Sequence, residues 1–276
     1  MSFSSRLMIP VLMSAVLGAC ASSPTESVAY IERPAETIYG EAFDSMSNGS
    51  YRMAALQYDE VERQHPYSEW ARRSMLMAAF ANYQANNYEE AISDAERFIA
   101  LHPGNRSTPY AYYLIAISYF EQIVDVGRDQ ATTQQAMQAL EQVVRRYPES
   151  RYATDARLKI DMTRDHLAGK EMEIGRCYLL RNYHLAAINR FQNVINEYGT
   201  TSHVPEALHR LVESYVAIGI SDEARQVGAV LGHNFPGSEW YEDSYGLLSR
   251  SGIAVDDLID QEDPTYLERA MRRLFG

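Results

Sequence analysis

Cys20 is the residue whose position most clearly predicts a chemical modification. It ends the run "LGAC", after an apolar stretch, Leu7–Leu17, and two small residues. Arg6 and the terminal amine make the start of the chain weakly positive. This layout is typical of a secretory signal peptide, because the apolar stretch is too short to span a bilayer as a helix. We therefore predict that the chain is exported.

The four residues that end at Cys20 resemble the lipobox of bacterial lipoproteins, Leu-x-(Gly/Ala)-Cys. The resemblance implies a diacylglycerol on the Cys20 thiol, removal of residues 1–19 and acylation of the new amino terminus. Several acyl chains anchor a protein almost irreversibly. Ala21 and Ser22 follow, whereas an Asp at the second position would resemble an inner-membrane retention signal, so we expect the outer membrane. The alternative is an ordinary signal peptide with an incidental cysteine.

The sequence contains no recognisable pattern of enzyme chemistry. Its seven histidines are scattered, and it has no HExxH motif, no Gly-rich phosphate loop and no nucleophile elbow. With 25 Lys and Arg against 37 Asp and Glu, the net charge is −12, which argues against nucleic-acid binding. We predict a non-catalytic protein with no cofactor, no metal and no nucleic-acid partner.

Internal repeats predict the fold. The near copies "PYSEWA", "PESRYA" and "PGSEWY" each place Pro before Ser, a candidate N-cap, and an aromatic residue in the next first turn. Segments of similar length share an alanine at corresponding positions: Ala54, Ala91, Ala136, Ala187 and Ala224. The unit resembles the tetratricopeptide repeat, a pair of antiparallel helices that approach closely at small residues. We predict an all-α superhelix of about five helix pairs; the alternative is a generic helical bundle with coincident prolines.

Departures from the repeat length divide the chain further. An insertion, Asp125–Thr133, interrupts the third unit, and residues 151–181 form one overlong first helix that would link repeats 1–3 to repeats 4–5. The expected parts are a signal peptide (1–19), a lipidated N-terminus and flexible tether (20–34), repeats 1–3 (35–150), repeats 4–5 (151–250) and an acidic linker with a short amphipathic C-terminal helix (251–276).

Four segments resemble the BamD family of bacterial β-barrel assembly lipoproteins. They are "YAYYLIAISYFEQIVDVGRDQ", "YPESRYATDA", "LAGKEME" and "YHLAAINRFQNVI". The resemblance implies an outer-membrane lipoprotein that faces the periplasm and helps insert outer-membrane β-barrels. It also implies binding to a BamA-like barrel subunit, to other lipoproteins of the machine and to the C-terminal signal of unfolded substrates. The alternative is a periplasmic tetratricopeptide scaffold lipoprotein for cell-envelope or division proteins.

The first helix of each pair lines the concave face of a repeat solenoid. This rule predicts a peptide groove in repeats 1–3 from Tyr39, Phe43, Arg73, Leu76, Phe80, Tyr83, Tyr110, Tyr113, Ile117 and Phe120. The groove would be aromatic, with Arg72 and Arg73 near one end. A peptide that ends in an aromatic residue and a free carboxylate would suit it, since rings contact rings and Arg pairs with carboxylate. Alternatively, these aromatic residues pack between repeats.

We expect contacts with protein partners in or near the second half. Arg128 and Asp129 lie in the insertion loop, and loops project from a solenoid. Asn189 and Arg190 match the pattern of the BamD family at a polar turn of an apolar helix. The alternative for each is a solvated charge or an internal salt bridge.

Lipidation of Cys20 would leave Cys177 as the other cysteine, so the chain could form no internal disulfide. Helical periodicity around Cys177 predicts a buried free thiol. Near the C-terminus, "TYLERAMRRLFG" predicts the short amphipathic helix, which would dock on the body, bind a partner or lie on lipid.

Overall fold

The computed structural model describes residues 32–253. The predictions for Cys20, the signal peptide, most of the tether and the C-terminal helix lie outside these residues. Regular structure within the described residues is entirely helical, which confirms the all-α prediction. The helices are α1 (Ala35–Ser47), α2 (Tyr51–Gln64), α3 (Glu69–Gln84), α4 (Tyr88–Leu101), α5 (Thr108–Glu121), α6 (Ala131–Arg146), α7 (Arg151–Leu180), α8 (His184–Glu197), α9 (Val204–Ala217), α10 (Ser221–Asn234) and α11 (Glu239–Arg250).

Helices α1–α10 form five successive pairs, and each helix packs against the next along the chain. Three residues join the two helices of every pair except α5–α6, where nine residues, 122–130, make the connection. The middle residue of each three-residue turn has a positive φ: Gly49, Asn86, Asn182 and Gly219. Glycine and asparagine tolerate this left-handed conformation, which ends a helix and reverses the chain.

The five repeated alanines lie at the helix contacts, as the sequence predicts. Each occurs in the second helix of its pair and has 0% of its surface exposed: Ala54, Ala91, Ala136, Ala187 and Ala224. A larger side chain at these positions would push the paired helices apart, because protein interiors have no spare volume at such contacts.

The three predicted serine caps are confirmed. Ser68, Ser150 and Ser238 accept hydrogen bonds from the backbone N–H three residues later, at 3.0, 3.2 and 3.2 Å. Each bond satisfies one of the free donors at a helix start. These caps begin α3, α7 and α11.

Helix α7 confirms the predicted long first helix. Its 30 residues extend for about 45 Å, at 1.5 Å per residue. It contacts α5 and α6, which precede it in the chain, and α8, which follows it. The first helices α1, α3, α5 and α7 contact one another in succession, and this layer carries the predicted groove.

The prediction of a buried Cys177 is wrong, because the thiol is exposed. The core-facing positions of α7 include Ala168, Met172 and Gly175, which are buried. At 100° per residue, Cys177 lies about 200° around the helix from Gly175. It therefore faces away from the core that α7 shares with α8.

Candidate functional site

A cleft of about 710 Å³ opens between α1, α3 and the turn that joins α4 to α5. Tyr39, Leu76 and Arg73, all predicted groove residues, line it together. Met77 adds further apolar wall, whereas Phe98 is only 1% exposed and belongs to the core. We call this space the basic cleft, because three arginines also line it.

The three arginines are Arg72, Arg73 and Arg106. Arg72 forms an exposed ion pair with Glu69 at 3.3 Å, which contributes little. Arg73 lies over the ring of Trp70, with its Cζ 5.3 Å from the ring centroid. Although the whole chain has a net charge of −12, neither Arg73 nor Arg106 has a carboxylate partner within the described part of the chain. The cleft therefore presents two guanidinium groups that are available to an anion.

Tyr39 forms the aromatic side of the basic cleft. Its ring packs edge-on against Tyr58, with centroids 5.3 Å apart, and against Trp70 at 4.8 Å. Burial raises the pKa of the Tyr39 hydroxyl above its ordinary value, although the nearby Arg73 opposes this shift. The side chain stays neutral and offers an apolar ring beside a positive charge.

Farther along the layer of first helices, aromatic rings form a continuous series that we call the aromatic ladder: Phe80, Tyr110, Tyr152 and Tyr113. Ring centroids are 6.3 Å apart for Phe80 and Tyr110, 5.4 Å for Tyr110 and Tyr152, and 5.2 Å for Tyr152 and Tyr113. Burial, followed by neighbouring groups, raises the pKa values of Tyr110 and Tyr113 above their ordinary value. Tyr110 and Tyr113 thus stay neutral, and the ladder links α3, α5 and α7.

The remaining predicted groove residues lie in different surroundings. Tyr83 donates a hydrogen bond to Glu121 at 3.4 Å, and burial together with that carboxylate raises the pKa of Tyr83 to about 12. Phe120 lies under Lys159, whose Nζ is 5.1 Å from the ring centroid. Ile117 is only 7% exposed and packs in the core, whereas Phe43 is 55% exposed and does not line the basic cleft. Packing between repeats therefore accounts for Ile117.

The insertion loop exposes the predicted partner residues Arg128 and Asp129. The buried Gln130 stabilises the loop. Its Nε2 donates hydrogen bonds to the carbonyl oxygens of Arg128 and Val126, at 3.0 and 3.3 Å. Thr133 donates to the Oε1 of the same Gln130 at 2.9 Å. The buried glutamine thus fixes the backbone of the loop, on which Arg128 and Asp129 are exposed.

Asn189 and Arg190 occupy adjacent but different environments on α8. Asn189 is exposed. Arg190 pairs with Glu171 of α7, with Nη1 at 3.3 and 3.2 Å from the two carboxylate oxygens. Arg190 therefore joins α8 to α7 through an internal salt bridge, which is one of the two alternatives that the sequence offered to a partner contact.

Comparison with known proteins identifies the family. The profile of the outer membrane lipoprotein family YfiO matches residues 31–231. The outer membrane protein assembly factor BamD of Caulobacter vibrioides is 54% identical over 266 residues, which cover 95% of this chain and 87% of that protein. The chain belongs to the BamD (YfiO) family.

Another BamD-family relative is the outer membrane protein assembly factor BamD of Rickettsia prowazekii. It is 43% identical over 238 residues, which cover 86% of this chain and 94% of the relative. Among solved structures, the tetratricopeptide domain of P58(IPK) is 12% identical, with a TM-score of 0.41, and the match covers 87% of this chain and 65% of that one.

Sequence reasoning missed two residues of these surfaces, Arg106 of the basic cleft and Tyr152 of the aromatic ladder. Arg106 lies in the turn between α4 and α5, where no helical periodicity marks its direction. Tyr152 of the aromatic ladder did leave a signal, because it occupies the same position after a capping serine as Trp70. Both rings pack against the first helix of the preceding pair, Trp70 on Tyr39 and Tyr152 on Tyr110.

Neither a cluster of metal ligands nor a membrane-spanning helix occurs within residues 32–253. No group of three or more His, Cys, Asp or Glu side chains there is arranged to hold a metal ion. None of the helices in that range is both long enough and apolar enough to cross a membrane.

Proposed function

We propose that this chain is a non-catalytic outer membrane protein assembly factor of the β-barrel assembly machine. It receives the C-terminal segment of an unfolded barrel protein in the basic cleft. The BamD-family relatives are named as outer membrane protein assembly factors, which supports the general role. The observation that carries the specific role is the pair Arg73 and Arg106, two arginines without carboxylate partners in an aromatic cleft of an acidic protein.

The chemistry of the cleft favours a peptide end over an internal segment. A terminal carboxylate pairs with guanidinium groups through charge-assisted hydrogen bonds, which contribute roughly 1.5–3 kcal/mol each. The apolar surface of Tyr39, Leu76 and Met77 would contact the terminal aromatic side chain and its neighbours. The aromatic ladder continues along the same helix layer and would contact residues farther from the peptide end.

A titration with two peptides tests this proposal. One peptide ends in an aromatic residue with a free carboxylate, and the other has the same sequence with an amidated end. Arg73→Glu and Arg106→Glu should each weaken the free-acid peptide by about tenfold or more and the amidated peptide much less. Arg52→Glu is the matched control, since Arg52 is an exposed arginine of α2 outside the basic cleft.

The result can also refute the role. Equal weakening of both peptides would mean that neither arginine recognises the carboxylate. If neither peptide binds the wild-type protein, the chain is better described as a scaffold that holds its membrane partners in place.

We further propose that a lipid on Cys20 anchors the chain to the outer membrane, with the folded body in the periplasm. The 14 residues 21–34 reach at most about 50 Å when fully extended, so the body would stay near the membrane. Metabolic labelling with palmitate should mark the wild-type protein and not Cys20→Ser. Equal labelling of the two would rule out lipidation at this residue.

We also propose that the α5–α6 loop and helix α8 contact protein partners. The exposed Arg128, Asp129 and Asn189 are available to a BamA-like barrel subunit or to other lipoproteins of the machine. Arg190 would act indirectly, by fixing α8 through Glu171. Affinity purification from detergent-solubilised membranes should recover a β-barrel partner with the wild type, and less of it with Arg128→Glu. Unchanged recovery with Arg128→Glu and Asn189→Ala would exclude this surface.

A further inference from the structure

A second groove lies between α4 and α6, with α5 as its floor. The floor consists of Tyr112, Ile115 and Tyr119, and the space measures about 470 Å³. It shares Glu96, Tyr119 and Gln135 with an adjoining space of about 400 Å³ farther along the same helices. We call the two spaces together the outer groove.

Helix α5 contributes side chains to two separate surfaces, the outer groove and the aromatic ladder. Its sequence, "TPYAYYLIAISYFE", has no charged residue before Glu121. A helix that is apolar on every side is expected to be buried on every side. Yet Tyr112 and Tyr119 stay partly exposed in the outer groove, while Tyr110 and Tyr113 contact the aromatic ladder from a different face of the helix.

One wall of the outer groove carries a row of glutamines. Gln135, Gln138 and Gln142 are spaced three and four residues apart on α6, which places them on one face. Their carboxamides form no hydrogen bond with any residue of the described chain. A carboxamide offers two donors and one acceptor oxygen, so it can pair with the N–H and the C=O of a peptide backbone.

This chemistry distinguishes an extended occupant from a helical one. A helix uses its backbone N–H and C=O groups internally, so its backbone offers the glutamines no partner. An extended chain presents both groups along its length. From Thr132 to Gln142 the wall rises by about 15 Å, which corresponds to about five extended residues.

The charges of the outer groove restrict the occupant further. Glu96 lies between its two spaces and Glu89 lies near one end, whereas Arg146 lies over the floor residue Tyr112, with its Cζ 5.1 Å from the ring centroid. Burial, followed by the nearby Glu96, raises the pKa of Tyr119 above its ordinary value, so this side chain stays neutral. The part of the outer groove near Glu89 and Glu96 would therefore repel an acidic segment.

We propose that the outer groove binds an extended, uncharged or basic segment of a partner polypeptide. The backbone of that segment pairs with Gln135, Gln138 and Gln142, and its apolar side chains contact Tyr112, Ile115 and Tyr119. This site is separate from the basic cleft and does not depend on the proposed function.

Phage display of random decapeptides on the purified full-length protein tests this inference. Phage that bind the triple variant Gln135→Ala, Gln138→Ala, Gln142→Ala are removed first, and the remaining phage are selected on the wild type. Alanine favours helices, so the triple variant should keep its fold, which circular dichroism checks. Labelled selected peptides should bind the triple variant about tenfold or more weakly than the wild type.

Controls separate backbone recognition from other causes. Gln134→Ala, an exposed glutamine of α6 outside the outer groove, should leave binding within about twofold, and so should Arg73→Glu in the basic cleft. Methylation of the peptide's backbone nitrogens should weaken binding by about tenfold, because it removes the N–H donors.

Several outcomes would overturn the inference. Selection could return no wild-type-specific binder, or binders that are acidic or become helical on binding. The N-methylated peptides could bind as well as their parents. A dimer of this chain that the triple variant abolishes would assign the groove to a second copy instead.

Discussion

The hydroxyl of Tyr113 on α5 donates a hydrogen bond to Oδ2 of Asp155 on α7, at 2.5 Å. The ring of Tyr113 also stacks on Tyr152, one turn earlier in α7, with an interplanar angle of 29°. Asp155 in turn pairs with Lys159 at 3.3 Å. These contacts join the third helix pair to the long helix, on the layer that carries the aromatic ladder.

The first prediction concerns this hydrogen bond. Tyr113→Phe keeps the ring and removes the donor, so the free energy of unfolding should fall by about 1 kcal/mol, since Asp155 remains partly solvated. Tyr112→Phe should have little effect, because the Tyr112 hydroxyl makes no hydrogen bond within residues 32–253. Urea unfolding of both variants measures the difference. Equal stability of the two variants would mean that the bond contributes nothing net.

The pH dependence of this bond has a definite sign. Burial and the Asp155 carboxylate raise the pKa of Tyr113 above its ordinary value of 10.0. Because the pKa is raised in the folded state, the contribution of the Tyr113–Asp155 hydrogen bond to stability is fully present below pH 10 and is lost at higher pH. The difference in free energy of unfolding between wild type and Tyr113→Phe should therefore persist at pH 9.

A second prediction compares two glycines. A Cβ added at Gly175 on α7 would lie 2.5 Å from Cε1 of Phe191, whose side chain is fully buried. Gly175→Ala should therefore cost about 1–3 kcal/mol, because the ring or the helix must shift. Gly40, inside α1, has nothing within 4 Å of its added Cβ. Gly40→Ala should instead stabilise the protein by about 0.5–1 kcal/mol.

Thermal unfolding checks both glycine variants. A lower melting temperature for Gly175→Ala and a higher one for Gly40→Ala would agree with a close approach of α7 to α8. A rise for both would mean that Phe191 has room to move, and that the approach of the two helices does not require glycine.

How far the sequence predicts this fold depends on whether a residue belongs to a repeating pattern. Ala54 and its four counterparts recur at one position of each repeat, so periodicity alone predicts their burial. The prediction for Cys177 is wrong because the apolar residues that follow it, Tyr178 and Leu179, do not show which face of α7 the thiol occupies. Arg106 could not be predicted, because only the path of the α4–α5 turn brings it beside Arg73.

A third prediction uses the carboxyl group of Asp59 on α2. Burial, followed by the nearby Asp94, raises the pKa of Asp59 to about 6, although Arg97 opposes the shift. The folded state then binds the proton more tightly than the unfolded state, so this group reduces stability as pH rises from about 4 to about 6. Asp59→Asn removes the charge. Because 46% of the Asp59 side chain is exposed, the gain at pH 7 should be only about 1 kcal/mol.

Urea unfolding at pH 4 and pH 7 tests the Asp59 prediction. The free energies of unfolding of Asp59→Asn and wild type should differ less at pH 4 than at pH 7. Glu90→Gln, an exposed carboxylate on α4, is the control for the loss of one negative charge. A less stable Asp59→Asn at pH 7 would mean that the attraction between Asp59 and Arg97, which are 3.9 Å apart, outweighs the cost of burial.

The last prediction concerns the continuity of α7. Met162 lies near the middle of this helix and is 61% exposed, so Met162→Ala should cost little. Met162→Pro removes a backbone hydrogen bond and introduces a clash with the preceding turn, at a cost of about 3 kcal/mol. Limited proteolysis should then cut the proline variant within α7, and recovery of a membrane partner should fall. Peptide binding in the basic cleft should survive, because its walls come from α1, α3 and the α4–α5 turn. If the proline variant resists protease and keeps its partner as the alanine variant does, α7 is not the rigid connection between the two halves.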